Sequence, residues 1–139
     1  GQLTAVDSSS QGIALIRTLF NHLSDEIQTT LRAVNAPAGV FLPRLNAETY
    51  DLIVVAGDPG NYDASFEQAP RLLKSHGVIV FTDMLAFESA ESAGGVLNPA
   101  NRDAKSVAMR TLLETVESDE RFVTTLTPTG TGLLVAVKR

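Results

Sequence analysis

The sequence predicts an α/β layered fold whose sheet is mostly parallel, with one antiparallel strand near the end. Strand-like apolar runs alternate with helix-spaced segments. The early runs are separated by stretches long enough for helical crossovers. The last two, Phe122–Leu126 and Leu133–Val137, are joined only by Thr127-Pro128-Thr129-Gly130-Thr131-Gly132, short enough for a hairpin. A chain of 139 residues, 44% of them hydrophobic, is one domain's worth of sequence and can bury a sizeable core. A single α/β domain over residues 1–139 is therefore expected.

The elements follow in order. Leu3–Val6 is a short strand ending at Asp7, and Ser8–Ser10 can cap a helix. Ile13, Ile16, Phe20 and Leu23 recur at helical spacing. Ile27–Val34 is a weaker strand, and Asn35 is expected to cap a short helix carrying Val40, Phe41 and Leu45. The run Asp51–Ala56 suits a strand covered on both faces. It ends in Gly57-Asp58-Pro59-Gly60, a loop signal. Phe66, Ala69 and Leu73 mark a helix that Gly77 is expected to stop, before a buried strand Val78–Phe81. A long loop rich in Ala, Ser, Gly and Asn follows, of the kind that forms lids or binding loops. Val107, Ala108, Leu112 and Val116 place a helix from about Asp103 to Ser118. No internal repeat or linker divides the chain.

Composition removes several function classes. Acidic residues number 16 against 11 basic ones, a net charge of −5, which argues against a nucleic-acid partner. The absence of cysteine excludes disulfides, thiolate metal sites and cysteine nucleophiles. Leu52–Ala56, Val78–Phe81 and Leu133–Val137 are far too short to span a membrane, so no membrane partner is expected. No targeting motif appears, and a cytoplasmic location is the expectation.

Asp7 lies just past the carboxyl end of a strand. An acid there can accept both hydroxyls of a ribose, or simply start a turn or cap the next helix. Asp58 and Asp83 hold equivalent places after two later strands, where carboxylates can bind a hard cation, line a nucleoside pocket or sit in solvated turns. His22 and His76 lack metal-ligand spacing and read as surface residues. No Ser-His-Asp arrangement and no Gly-x-Gly-x-x-Gly motif occurs, and Gly130-Thr131-Gly132 leads into a strand rather than a helix.

Four segments resemble the class I S-adenosylmethionine-dependent O-methyltransferases related to the caffeoyl-CoA and catechol enzymes. Leu3-Thr4-Ala5-Val6-Asp7 is similar to that family's second strand with its ribose-binding acid. Ala36-Pro37-Ala38 is similar to the motif beside the adenine. The stretch from Tyr50 through Asp58, with Tyr62, resembles the fourth strand and its Asp-Ala-Asp-Lys ending. Asn98 to Asp103, Arg110, Asp119-Glu120-Arg121, Pro128, Gly130, Gly132 and Lys138 follow the C-terminal pattern. The likeness runs from Leu3 to Arg139.

The resemblance implies a Rossmann-like methyltransferase sheet, mostly parallel with an antiparallel C-terminal hairpin and lacking the family's first strand. The chain would be the C-terminal portion of an O-methyltransferase that moves a methyl group from S-adenosylmethionine to a small hydroxylated acceptor. Asp7, Ala38 and Asp58 would contact the cofactor, and no residue stands out as the catalytic base. The family's divalent-metal ligands fall on Ala56, Asp83 and Met84, and its lysine on Pro59, so no metal is expected. Without the first strand and its Gly-rich loop, this portion alone is expected to be inactive. Its bared strand edges favour a homodimer. The alternative is a non-catalytic α/β interaction module, either a pseudoenzyme or a receiver-like domain. A receiver needs an Asp where the third strand here ends in Ala56.

Overall fold

The computed structural model describes residues 1–87 and 94–139. The middle of the long loop expected after Phe81 therefore lies outside the described residues. The chain divides into two compact units, Gly1–Arg44 and Leu45–Arg139.

In Gly1–Arg44, strands β1 (Gln2–Asp7) and β2 (Thr30–Asn35) pair in parallel, Gln2 opposite Thr30 and Asp7 opposite Asn35. Helix α1 (Ser10–Leu23) connects them. Its expected polar cap is Ser9, whose side chain accepts the Gly12 N–H at 3.2 Å. The predicted stripe faces inward: Ile13 is buried, while Ile16, Phe20 and Leu23 are half-buried.

The short helix α2 (Ala38–Phe41) starts from Pro37, not Asn35, which is the last residue of β2. Asn35 instead reaches Ser10 Oγ at 3.4 Å. With its amide turned over, it donates to the carbonyls of Asp7 and Ser8. Pro43 keeps Leu42–Arg44 as a separate 3-10 turn, so Leu45 falls outside the helix. Phe41 is buried beneath the Arg32 guanidinium, 5.4 Å from the ring centroid.

Leu45–Arg139 holds a four-stranded sheet of β3 (Tyr50–Val55), β4 (Leu73–Phe81), β5 (Phe122–Thr127) and β6 (Leu133–Lys138), in spatial order β3-β4-β6-β5. The β3–β4 ladder is parallel; β4–β6 and the β5–β6 hairpin are antiparallel, as the short connection predicts. Helices α3 (Tyr62–Leu72) and α4 (Ala104–Glu117) complete the unit. The core joins Phe66, Phe81 and Phe122 (centroids 6.2 and 5.3 Å apart) to Met109, Leu112, Val116 and Leu134. Each such buried side chain contributes about 1.5–3 kcal/mol. Among the described residues no helix is long and apolar enough to cross a membrane.

Two further expectations fail in Leu45–Arg139. The strand β3 is covered on one face only: Ile53 and Val55 point to the core, whereas Leu52 and Val54 are 55% and 59% exposed. Strand side chains alternate between faces, so a continuous apolar run does not show which face is covered. Gly77 does not stop α3. The helix ends at Leu72, and Leu73, also fully buried, already pairs with Tyr50. The strand then bulges outward through Lys74-Ser75-His76 and resumes at Val78. His76 takes a φ of +65° in this bulge. Gly77 serves the bulge, since a Cβ there would lie 2.8 Å from the Lys74 carbonyl oxygen.

The hairpin loop is tied to the segment after β4. Met84 and Leu85 donate their N–H groups to the carbonyls of Gly132 (3.1 Å) and Thr131 (2.9 Å). Gly132 has φ +97°, and a Cβ there would fall 2.6 Å from Leu85 Cγ. Gly132→Ala is expected to cost roughly 2–4 kcal/mol, strain and overlap together. Gly130→Ala, with open space around the new Cβ, should cost about 1 kcal/mol. Urea denaturation of both variants checks this order.

In the turn before β5, the Arg121 guanidinium donates to both Asp119 carboxylate oxygens at 2.9 and 2.7 Å. This hydrogen bonding holds the Asp119 carboxyl below its ordinary 3.8, against a smaller opposing effect of burial. A depressed carboxyl stabilises the fold above its unfolded pKa and loses that contribution as pH falls through the folded value. Asp119→Asn should therefore weaken the acid-induced loss of stability below about pH 3.8, by a small amount because the Arg121 side chain lies largely in solvent. Thermal melts between pH 2 and 6, a range of roughly two units either side of that pKa, check it.

Candidate functional site

In parallel α/β sheets ligands gather at the carboxyl ends of strands. Asp7 is the last residue of β1 and is half-buried. Its Oδ1 accepts the Ser9 N–H at 2.8 Å, which is the turn-starting role. Its other oxygen lies over the first turn of α1, where a Cβ on Gly12 would come within 2.4 Å of it. Gly12 thus makes room for the carboxylate. The Asp7 carbonyl accepts the Ala36 N–H at 3.1 Å, and Ala38 opens α2 directly after β2. Asp7 and the Ala36–Ala38 segment share one edge of the β1–β2 pair.

In Leu45–Arg139, Asp58 and Asp83 follow the carboxyl ends of the neighbouring strands β3 and β4. The Thr82 N–H stitches those ends by donating to the Val55 carbonyl at 3.0 Å. Asp58 is exposed, and its Oδ1 accepts the Gly60 N–H at 3.0 Å, so it caps its own turn. Asp83 adopts φ +59°, and its Oδ2 is ion-paired with Lys105 Nζ. Both side chains of this pair are mostly buried, with 29% and 21% exposure.

Among the described residues, the positions where the family's metal ligands fall do not suit a hard divalent cation. Ala56 has no donor atom, the Met84 thioether is packed in the core, and Asp83 already faces an ammonium group. No group of three His, Cys, Asp or Glu is arranged for a metal among the described residues. His22 lies in the last turn of α1 and His76 rides the β4 bulge. An open depression lined by His76, Val123 and Val137 sits by the amino end of the β4 ladder, away from Asp83.

Two residues escaped the sequence reading as individuals. Lys105 is in the first turn of α4, an unfavourable end for a cation, and that misplacement was the available signal. Arg110 appears in the sequence only as part of a pattern. In the structure its guanidinium gathers the carbonyls of Gly95, Val96, Asn98 and Asn101, pinning the loop that leads into α4. Asn101, buried in that loop, accepts the Asp103 N–H at 2.9 Å.

The sequence profile of the O-methyltransferase family matches residues 1–139. The chain belongs to the O-methyltransferase family. A Mycobacterium leprae protein, itself named only provisionally as an O-methyltransferase, is 32% identical over 138 residues, 99% of this chain and 58% of that protein. Among solved structures, a Corynebacterium glutamicum protein superposes with a TM-score of 0.83 at 24% identity, covering 99% of this chain and 60% of the other. A Bacillus cereus O-methyltransferase in complex with S-adenosylhomocysteine superposes with a TM-score of 0.79 at 18% identity, covering 100% and 63%. The chain thus spans less than two-thirds of the length of these three proteins, and its fold is the Rossmann-like methyltransferase sheet with an antiparallel C-terminal hairpin.

Two outcomes are expected for these residues. Arg110→Ala should cost about 2–3 kcal/mol by urea denaturation, and Arg110→Lys should recover little, since an ammonium cannot span several carbonyls. Mn²⁺ titration followed by water-proton relaxation should find no site tighter than about 1 mM. A micromolar site that disappears in Asp83→Ala is the contrary result.

Proposed function

We propose that this chain is the C-terminal portion of an O-methyltransferase that methylates a small hydroxylated acceptor without a divalent metal. The observation that carries the reading is the Asp7 carboxylate, set at the carboxyl edge of β1 above Gly12, with Ala38 on the same edge. A carboxylate with one oxygen uncommitted there suits a ribose hydroxyl. The place a Gly12 Cβ would take is filled by that oxygen, so glycine at this position permits the carboxylate's placement. Asp7 would hold the ribose of S-adenosylmethionine and Ala38 would line the adenine, with Asp58 included for its place after β3. When bound, the cofactor supplies an electrophilic methyl group on a sulfonium. The part of the relatives' length that this chain does not span is proposed to hold the methionine end, which leaves these residues alone inactive. The exposed Leu52 and Val54 support association, and a homodimer is the proposed form.

S-adenosylhomocysteine titrated into ¹⁵N-labelled chain tests this reading. Amide shifts are expected at Asp7, Ser9 and Ala38, with a dissociation constant weaker than about 1 mM, or some −4 kcal/mol. Asp7→Ala should abolish them. Silence at Asp7 and Ala38 at millimolar ligand would count against the reading. A low-micromolar constant would show that these residues hold a complete site.

A further inference from the structure

Between Leu73 and Val78 the strand β4 bulges away from β3, and the bulge holds His76 at a φ of +65°. A non-glycine residue takes that conformation at a cost. The Leu73 carbonyl accepts the Lys138 ammonium at 2.7 Å, which fixes that cation across the bulge and leaves two of its three protons for other acceptors. His76 and Lys138, with Arg139, line an open depression of about 510 Å³ whose apolar part is the cross-strand pair Val123 and Val137. A volume of that order is ordinary for a small-molecule site. The charges around it have one sign. Lys74 and Arg121 stand at the same end of the sheet, but Asp51 and Asp119 balance them. Among the described residues no carboxylate is ion-paired with Lys138 or Arg139. A chain of net charge −5 thus keeps an unbalanced positive end, opposite the edge that carries Asp58 and Asp83.

We propose that this depression binds a short aliphatic carboxylate, its anionic head on Lys138 and His76 and its alkyl body against Val123 and Val137. The site lies away from the methyl-transfer edge and does not depend on that reading. The ordered ammonium and an imidazole N–H supply two donors, enough for the two oxygens of one carboxylate. Hydrogen bonds of this kind are strengthened by the charges on both partners. Because the Leu73 carbonyl already holds the ammonium, little side-chain freedom is lost when a ligand arrives. A neutral hydrocarbon would cover the ammonium and give it nothing in return. The bulge and the strain at His76 fit the same use, since bulges re-aim side chains and strained residues gather where ligands are held.

Hexanoate, acetate and 1-hexanol, each titrated into the ¹⁵N-labelled full chain, test the site. Hexanoate should shift the amides of His76, Val123, Val137 and Lys138 with a dissociation constant of about 1 mM. Acetate lacks the alkyl body and 1-hexanol lacks the charge, so each should bind about tenfold more weakly. Lys138→Gln keeps a donor for the Leu73 carbonyl but removes the charge. It should weaken hexanoate about tenfold and leave 1-hexanol unchanged. Val123→Glu, at an exposed position, sets a carboxylate in the depression and should abolish hexanoate binding; it carries the test if Lys138→Gln does not fold. His76→Gly should raise the urea midpoint, because glycine takes the positive φ freely, and should at the same time weaken hexanoate. Hexanoate that shifts none of these amides up to about 20 mM, or that binds Lys138→Gln, Val123→Glu or His76→Gly as it binds the wild type, overturns the proposal. So does the same set of shifts on concentrating the chain alone, which would make a second copy the occupant.

Discussion

Phe81 is fully buried at the end of β4, against Tyr62 and Phe66 of α3, and the carboxyl edge of Leu45–Arg139 takes its position from it. The strand it ends is paired on both sides, parallel with β3 and antiparallel with β6. A ring held at that depth cannot shift without opening the core. The residues just beyond it therefore leave the sheet from a fixed point. Thr82 is bound to the Val55 carbonyl and receives the Tyr62 hydroxyl on its own carbonyl at 2.8 Å. Asp83 begins from there.

Much of the framework was legible because it depends on short-range chemistry. The cap at Ser9, the limits of α4 at Asp103 and Ser118, and the β5–β6 hairpin all follow from residues close in sequence. The errors share a different character. Gly77 looks like a stop signal, yet the buried pair Leu72 and Leu73 draws the chain into the sheet sooner. Asn35 is a good capping residue in isolation, but β2 claims it. The alternation along β3 does not reveal that Leu52 and Val54 lack cover, since burial of a face depends on what packs there.

The candidate site was legible in part. Asp7 and Asp58 came through their places after strands as well as motif resemblance, Ala38 through resemblance alone, and the structure puts each at or just beyond a strand's carboxyl end. Their local roles came only from geometry. Asp7 and Asp58 each commit one oxygen to a nearby N–H, whereas Asp83 is balanced by a distant lysine. Neither member of that last pair has a neighbour in sequence that hints at the other. A cation at the wrong end of a helix was the one visible trace.

The close approach of Gly132 to Leu85 bears on how this unit breathes. The N–H groups of Met84 and Leu85 are held by carbonyls of the β5–β6 loop, not by a strand of their own. Their exchange with solvent deuterium is thus governed by the opening of that loop. The segment leaving β4 and the hairpin tip belong to one cooperative opening unit, although nearly fifty residues separate them along the chain.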